Sequence, residues 1–186
     1  MIFFTADTHF NHRGILKYTD RRRQWRTLPE MNRGLVDSWN AVVTRESDEV
    51  WHLGDFGFHA PTDRETEDLG VLFWRLRGKK HLVIGNHDAK NTQVLRLPWE
   101  SVSPLEELKR DGHRFVLCHY AIENWAGQWR GAIHLHGHAH GTLRHKIAKR
   151  FDVGVDAMGP APVPIDQIIE AAAAEPFVPV DHHGKE

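Results

Sequence analysis

The chain has 186 residues, enough for one domain with a sizeable core and short for two. Its formal net charge is −1, which excludes both a global basic field for nucleic acid and the acidic excess of a disordered chain. A single cysteine, Cys118, excludes an intrachain disulfide and a cysteine-built zinc cage, so any metal falls to His, Asp, Asn or Glu; the 15 histidines are the compositional oddity.

The start, MIFFTADTHF, carries no basic leader, and no apolar run approaches the roughly 20 residues of a membrane span. The expectation is a soluble, cytoplasmic protein with no membrane contact. MIFFT is a short apolar run ending at polar residues, the form of a buried strand whose carboxyl end opens into a site. From Pro29 to Val43 the apolar positions Met31, Leu35, Trp39, Val42 and Val43 follow helical spacing, with proline suited to the first turn. DEVWHLGDF supplies a second strand through Val50 to Leu53. Residues 63–77 read as a helix with Leu69, Leu72, Phe73 and Leu76 on one stripe, stopping at Gly78. KKHLVIGNHD is a third strand, and the repeated strand-to-helix rhythm indicates an α/β core.

The second half changes character. VSPLEELKRDGHRFVLCHY holds two extended runs around the hairpin signal Asp111-Gly112, the second ending at His119. Ala132 to Leu135 is a further strand, KRFDVGVDA another, and Ile165 to Ala174 a closing helix. This organisation predicts one domain over residues 1–175 and a frayed tail over 176–186.

Five apolar runs end in polar tips: Asp7-Thr8-His9, Gly54-Asp55, Gly85-Asn86-His87-Asp88, His119, and Gly137-His138-Ala139-His140. Each tip alone is also what a helix cap or an ordinary loop carries. Together they make the inventory of a two-metal site, because ligands of α/β sheets gather outside the carboxyl ends of the strands. In HLHGHAHG, Gly137 breaks the strand, which leaves His134 and His136 before the loop as strand or surface histidines.

The five blocks, in this order over residues 5–140, resemble the calcineurin-like metallophosphoesterases, and motif spacing is most similar to their small bacterial and phage-type members. The resemblance implies an α/β fold with a two-sheet β-sandwich flanked by helices. It implies two divalent metal ions, one held by Asp7, His9, Asp55 and His140 and the other by Asp55, Asn86, His119 and His138, with Asp55 shared. Mixed imidazole and oxygen donors suit Mn²⁺, with Fe or Zn next, better than Mg²⁺. The implied reaction is hydrolysis of a phosphomonoester or phosphodiester by a metal-bridging hydroxide. By the same resemblance His87 faces the substrate phosphate, with Asp88 expected to orient its ring. One departure stands out: where many relatives place a further acid shortly after Gly-Asp, this chain has Phe56, Gly57 and Phe58.

Substrate contacts are expected from His12 and from the basic run Arg21, Arg22 and Arg23, with RHKIAKR (144–150) as a second basic cluster and Trp25, Trp125 or Trp129 available to stack a base. The expected partner is a phosphorylated small molecule or nucleotide. A nuclease or nucleic-acid phosphatase is the first alternative, favoured by the basic loops and weakened by the neutral net charge. A noncatalytic metal-binding scaffold is the second.

Overall fold

The computed structural model describes residues 1–58 and 64–175, apart from the side chain of Arg22; the expected tail over 176–186 lies outside the described residues. Strand β1, Ile2–Thr5, is buried along its whole length. Phe3 packs among the residues of the helical layer, whereas Phe4 packs between two sheets. A strand covered on both faces must be apolar at successive positions, hence the unbroken run in the sequence.

Strand β2, Glu49–His52, lies parallel to β1 with Phe3 opposite Val50, and β3, Lys79–Val83, lies parallel to β2. The edge strand β4, Ser101–Ser103, is parallel to β3. The second sheet runs β5 (Leu105–Arg110), β6 (His113–Cys118), β7 (Ile133–His136) and β8 (Arg150–Asp152) in spatial order. Its first pair is the expected antiparallel hairpin, and Asp111 and Gly112 both have positive φ, as a primed two-residue turn demands. β6, β7 and β8 are mutually parallel. The first sheet is closed on its other side by β9, Val163–Pro164, antiparallel to β1.

Six α-helical segments complete the described chain: α1 (Ile15–Tyr18), α2 (Leu28–Val42), α3 (Leu69–Arg75), α4 (Thr92–Leu95), α5 (Val155–Met158) and α6 (Ile165–Ala174). Leu28, Met31, Leu35 and Trp39 of α2 and Leu72 and Phe73 of α3 form one core with Phe3, Val50 and Leu82. A second core, between the sheets, joins Phe4, Leu53, Val83, Phe115, Leu117 and Leu135. The result is a mixed α/β protein of two sheets flanked by helices.

Three sequence expectations need correction. The helix expected over 63–77 is shorter, because the Asp68 carboxylate accepts the Val71 amide at 3.0 Å and so fixes the helix start at Leu69. The run VSPLEELKR is two strands in different sheets. Pro104 has no amide hydrogen to continue a ladder, and the chain changes sheet there. KRFDVGVDA leaves its strand at Asp152, and Asp156 sits in α5 instead.

Candidate metal centre

β1, β2 and β3 run parallel, as do β6 and β7, so the polar tips leave matching ends of each sheet. Five tip residues then turn inward by taking left-handed backbone: Asp7 (φ 55°), His9 (48°), Asp55 (58°), His138 (66°) and His140 (49°). Such conformations cost on the order of 1–3 kcal/mol each and concentrate at functional sites. Asp and His tolerate them better than most side chains. Close approach also requires glycine: a Cβ on Gly137 would stand 2.5 Å from Asp7 Oδ2, and one on Gly85 would collide with Asp55.

Two groups of donor atoms result. Asp7, His9 and His140 offer atoms within 4.8 Å of one another, and Asp55, His119 and His138 do the same. Asn86 joins the second group, its Oδ1 standing 3.0 Å from both His119 Nε2 and His138 Nδ1. Asp55 lies between the groups. Its Oδ1 accepts the His87 amide at 2.9 Å, while Oδ2 is 3.8 Å from His9 Nε2 and 3.5 Å from His119 Nε2.

The donor set fits a cation. Asp7 Oδ1 and both ring nitrogens of His9 are buried without a hydrogen-bond partner, an arrangement that is costly unless something positive sits among them. His119 Nδ1 donates to the Leu53 carbonyl at 2.7 Å, so in the neutral ring the Nε2 lone pair faces two acceptor oxygens, Asn86 Oδ1 and Asp55 Oδ2. His140 Nδ1 likewise donates to Asp156 Oδ2 at 2.6 Å, which leaves Nε2 as its ligand atom. Burial pushes the Asp7 carboxyl up to about 7, against the opposing pull of His140 and His119, and burial drives the His9 ring well below its ordinary value. Neutral imidazole is the form that binds metal.

Neighbouring side chains hold this geometry. His52, which burial pushes down to about 3, donates from Nε2 to Thr8 Oγ1 at 2.9 Å; Thr8 in turn donates to the Phe56 carbonyl at 2.7 Å. The first and second tips are thereby tied together. Asp88 does the same for the second and third tips, and this corrects its expected role. Its carboxylate accepts the amides of Asp55 (2.6 Å), Phe56 (3.0 Å) and Gly85 (3.0 Å), so both oxygens serve the backbone and do not orient the His87 ring. The His87 ring packs instead on Phe58, at 4.8 Å between centroids, and lies 42 % exposed in the cleft.

The basic run is also corrected. Arg21 is buried. It donates to Asp156 through Nε and Nη2, both at 2.9 Å, to the Thr8 carbonyl at 2.8 Å and to the Asp7 carbonyl. Those bonds leave it committed to the protein itself. Arg23 pairs with Asp20 at 3.3 Å on the surface, and the Arg22 side chain lies outside the described atoms. Trp25 and Trp125 are buried and so unavailable for stacking, and Arg130 covers the Trp129 ring at 4.0 Å. His12 does line the cleft with His9, His87, His138 and His140. Burial and the nearby His87 push it down to about 4.

His134 and His136 belong to the strand, but both are buried and neither is a surface residue. His134 Nδ1 donates to the Val116 carbonyl at 2.8 Å, and Nε2 accepts the Ile122 amide at 3.2 Å. Asp156 is the residue that sequence reasoning missed. It lies in a four-residue helix within a stretch that reads as strand, and no spacing relates it to the tips.

A sequence profile described as calcineurin-like phosphoesterase matches residues 1–181. A Methanocaldococcus jannaschii protein described as uncharacterized is 30 % identical over 175 residues, covering 91 % of this chain and 89 % of its own. The gene 66 protein of Mycobacterium phage D29 is 29 % identical, covering 91 % and 94 % respectively. A solved Aquifex aeolicus structure of a protein of unknown function shares the fold, with a TM-score of 0.70 at 23 % identity over 91 % of this chain and 98 % of that one. Among the described residues no helix is long and apolar enough to cross a membrane. With the profile match spanning nearly its whole length, this chain belongs to the calcineurin-like phosphoesterase family.

Proposed function

We propose that the protein is a two-metal phosphoesterase that hydrolyses a phosphomonoester or phosphodiester. The observation that carries this reading is the position of Asp55 Oδ2 between two groups of mutually facing donor atoms, with Asp7, His9, Asp55 and His119 buried and His140 and His138 toward the cleft. Asp7, His9 and His140 would hold one cation and Asn86, His119 and His138 the other, with Asp55 shared. Mn²⁺ suits this mixture of imidazole and oxygen donors, with Fe or Zn next. When bound, the cations would supply an activated water and positive charge against the phosphoryl oxygens.

The chain supplies the rest. Asp88 and His52 tie together the loops that carry the donors. His87 stands at the cleft floor, with Nε2 3.9 Å from Asp55 Oδ2, and is placed to hydrogen-bond the charge that develops on the phosphoryl group. For the nuclease alternative, the first basic run offers little, since Arg21 is buried and Arg23 is paired. None of the seven proposed ligand positions is lost, so it is turnover, not metal binding, that separates this reading from a noncatalytic metal-binding scaffold.

The test is metal analysis of purified protein combined with phosphate release from monoesters, diesters, nucleotides and oligonucleotides. Two cations per chain with Mn²⁺-dependent turnover support the reading. Two cations without turnover of any ester would favour the scaffold, and oligonucleotide turnover suppressed by added salt would favour the nuclease.

A further inference from the structure

The cleft above the donor groups encloses about 1050 Å³, at the upper end of the roughly 300–1,000 Å³ that accommodates a drug-sized ligand. A phosphoryl group alone takes up little of that volume, which leaves room for the nonreacting part of the substrate. One wall is made of rings. His12 stacks on Phe58 at 4.1 Å and 25°, and His87 packs on the same ring. The row continues to Tyr18 because Gly14 has no side chain: a Cβ there would stand 2.9 Å from His12 Nε2 and 3.0 Å from the Tyr18 ring. Tyr18 is 80 % exposed, although Ile15 and Leu16 of the same α1 turn are buried, so its ring is withheld from the core and offered to the cleft.

The charge on this wall is sparse. Lys17 lines the cleft and has no ion pair among the described residues, whereas the neighbouring Arg21 and Arg23 are committed to Asp156 and Asp20. A polyanionic strand needs a row of cations along its backbone; among the described residues this wall offers Lys17 alone, with the Asp20 carboxylate, itself paired with Arg23, beside it. A flat ring needs stacking surfaces, and those it offers in series.

Resting on the phosphoesterase reading, we propose that the cleft selects a phosphate ester of a planar aromatic group, of mononucleotide size. The ring lies along His12 and Tyr18, and a second anionic group, where present, reaches Lys17. Tyr18 and Lys17 are then specificity residues, remote from the reacting bond.

Two pairs of esters test this with Mn²⁺-loaded protein: adenosine 5′-monophosphate against ribose 5-phosphate, and 2′,3′-cyclic adenosine monophosphate against ethylene phosphate. Whichever pair is hydrolysed, the ring-bearing member should show at least about tenfold higher kcat/KM, as stacking of one base warrants. Tyr18→Ala should reduce that preference about tenfold, mainly through the KM of the ring-bearing ester. Equal kcat/KM within a pair, or a preference that survives Tyr18→Ala, overturns the proposal. If the wild type hydrolyses none of the four, the wider ester screen decides the phosphoesterase reading, and calorimetric binding of adenosine 5′-monophosphate decides the cleft separately. Binding weakened about tenfold by Tyr18→Ala would sustain the aromatic subsite; no binding, or binding indifferent to Tyr18, would reject it.

Discussion

Arg21 and Asp156 stand 135 residues apart in the chain and are joined by two parallel bonds, Nε to Oδ1 and Nη2 to Oδ2, each 2.9 Å long. Arg21 is buried, Asp156 is half-buried at the edge of the cleft, and the pair reaches the candidate metal centre: Arg21 holds the carbonyls of Asp7 and Thr8, and Asp156 holds His140. Arg21→Ala should therefore be destabilising, though by less than the roughly 3–5 kcal/mol of a fully stranded buried charge, because Asp156 is half-buried and keeps His140 as a partner. Arg21→Lys should recover only part, since an ammonium cannot reproduce the planar fork. Urea denaturation of the three proteins checks this. Full recovery by lysine would show that charge alone matters.

On the two-metal reading, Asp156 would act on a cation through His140. Asp156→Ala removes the acceptor that fixes Nδ1–H and leaves the ring free to turn its ligand nitrogen away. Loss of such a partner weakens metal binding about 10–100-fold, and here the weakening should fall on one of the two cations. Calorimetric titration of chelator-stripped protein with Mn²⁺ should resolve one weakened site and one of wild-type affinity. Two equally weakened sites would mean that the substitution disturbs the whole cleft.

Asp55 and His140 should differ in stoichiometry. Asp55→Ala removes the oxygen that faces both donor groups, so both cations should be lost, whereas His140→Ala should remove about one per chain. Metal analysis after gel filtration reads this directly. Two retained metals in Asp55→Ala would reject the shared-ligand assignment.

His87→Ala should keep both metals and its folding transition while kcat falls about 10²–10³-fold, the size expected for losing one group that stabilises developing charge. Loss of a metal along with activity would make His87 a ligand instead.

What the sequence revealed and what it hid divide along a physical line. The tips at Asp7, Asp55, Asn86, His119 and His138 were legible because a buried strand is a dense apolar run and its polar end is an abrupt change. Helix α2, read in the sequence over Pro29 to Val43 and found over Leu28–Val42, was legible because four turns of 3.6-residue spacing leave a pattern. Helices α1, α4 and α5 span four residues each, too short to show a period, and Arg21 and Asp156 gain their meaning only from the packing of α5 beside the first tip. Asp88 was misread for a related reason. Adjacency to His87 says nothing about direction, and the 3₁₀ turn Asp88–Lys90 aims the carboxylate at backbone amides across the loop.

The two histidines of HLHGHAHG outside the ligand set lead to a pH effect. His134 is fully buried, its ring set against the Val116 and Tyr120 carbonyls and the Ile122 amide; burial outweighs the pull of the two carbonyls and pushes its pKa down to about 4 from an ordinary 6.5. Between those values the unfolded chain carries the proton and the folded chain does not. Stability therefore rises with pH across this window and is lost as pH falls from about 6.5 to about 4, by up to about 3 kcal/mol from this residue. Removing metal with a chelator separates the effect from competition between protons and cations at the ligands. His134→Gln retains a donor and an acceptor but does not titrate, so it should be less stable than wild type at pH 7 and lose less on acidification. Denaturant unfolding of both proteins at pH 7, 6, 5 and 4.5 should show the gap between them closing as pH falls. A gap that stays constant with pH would mean that His134 is not held neutral by its burial.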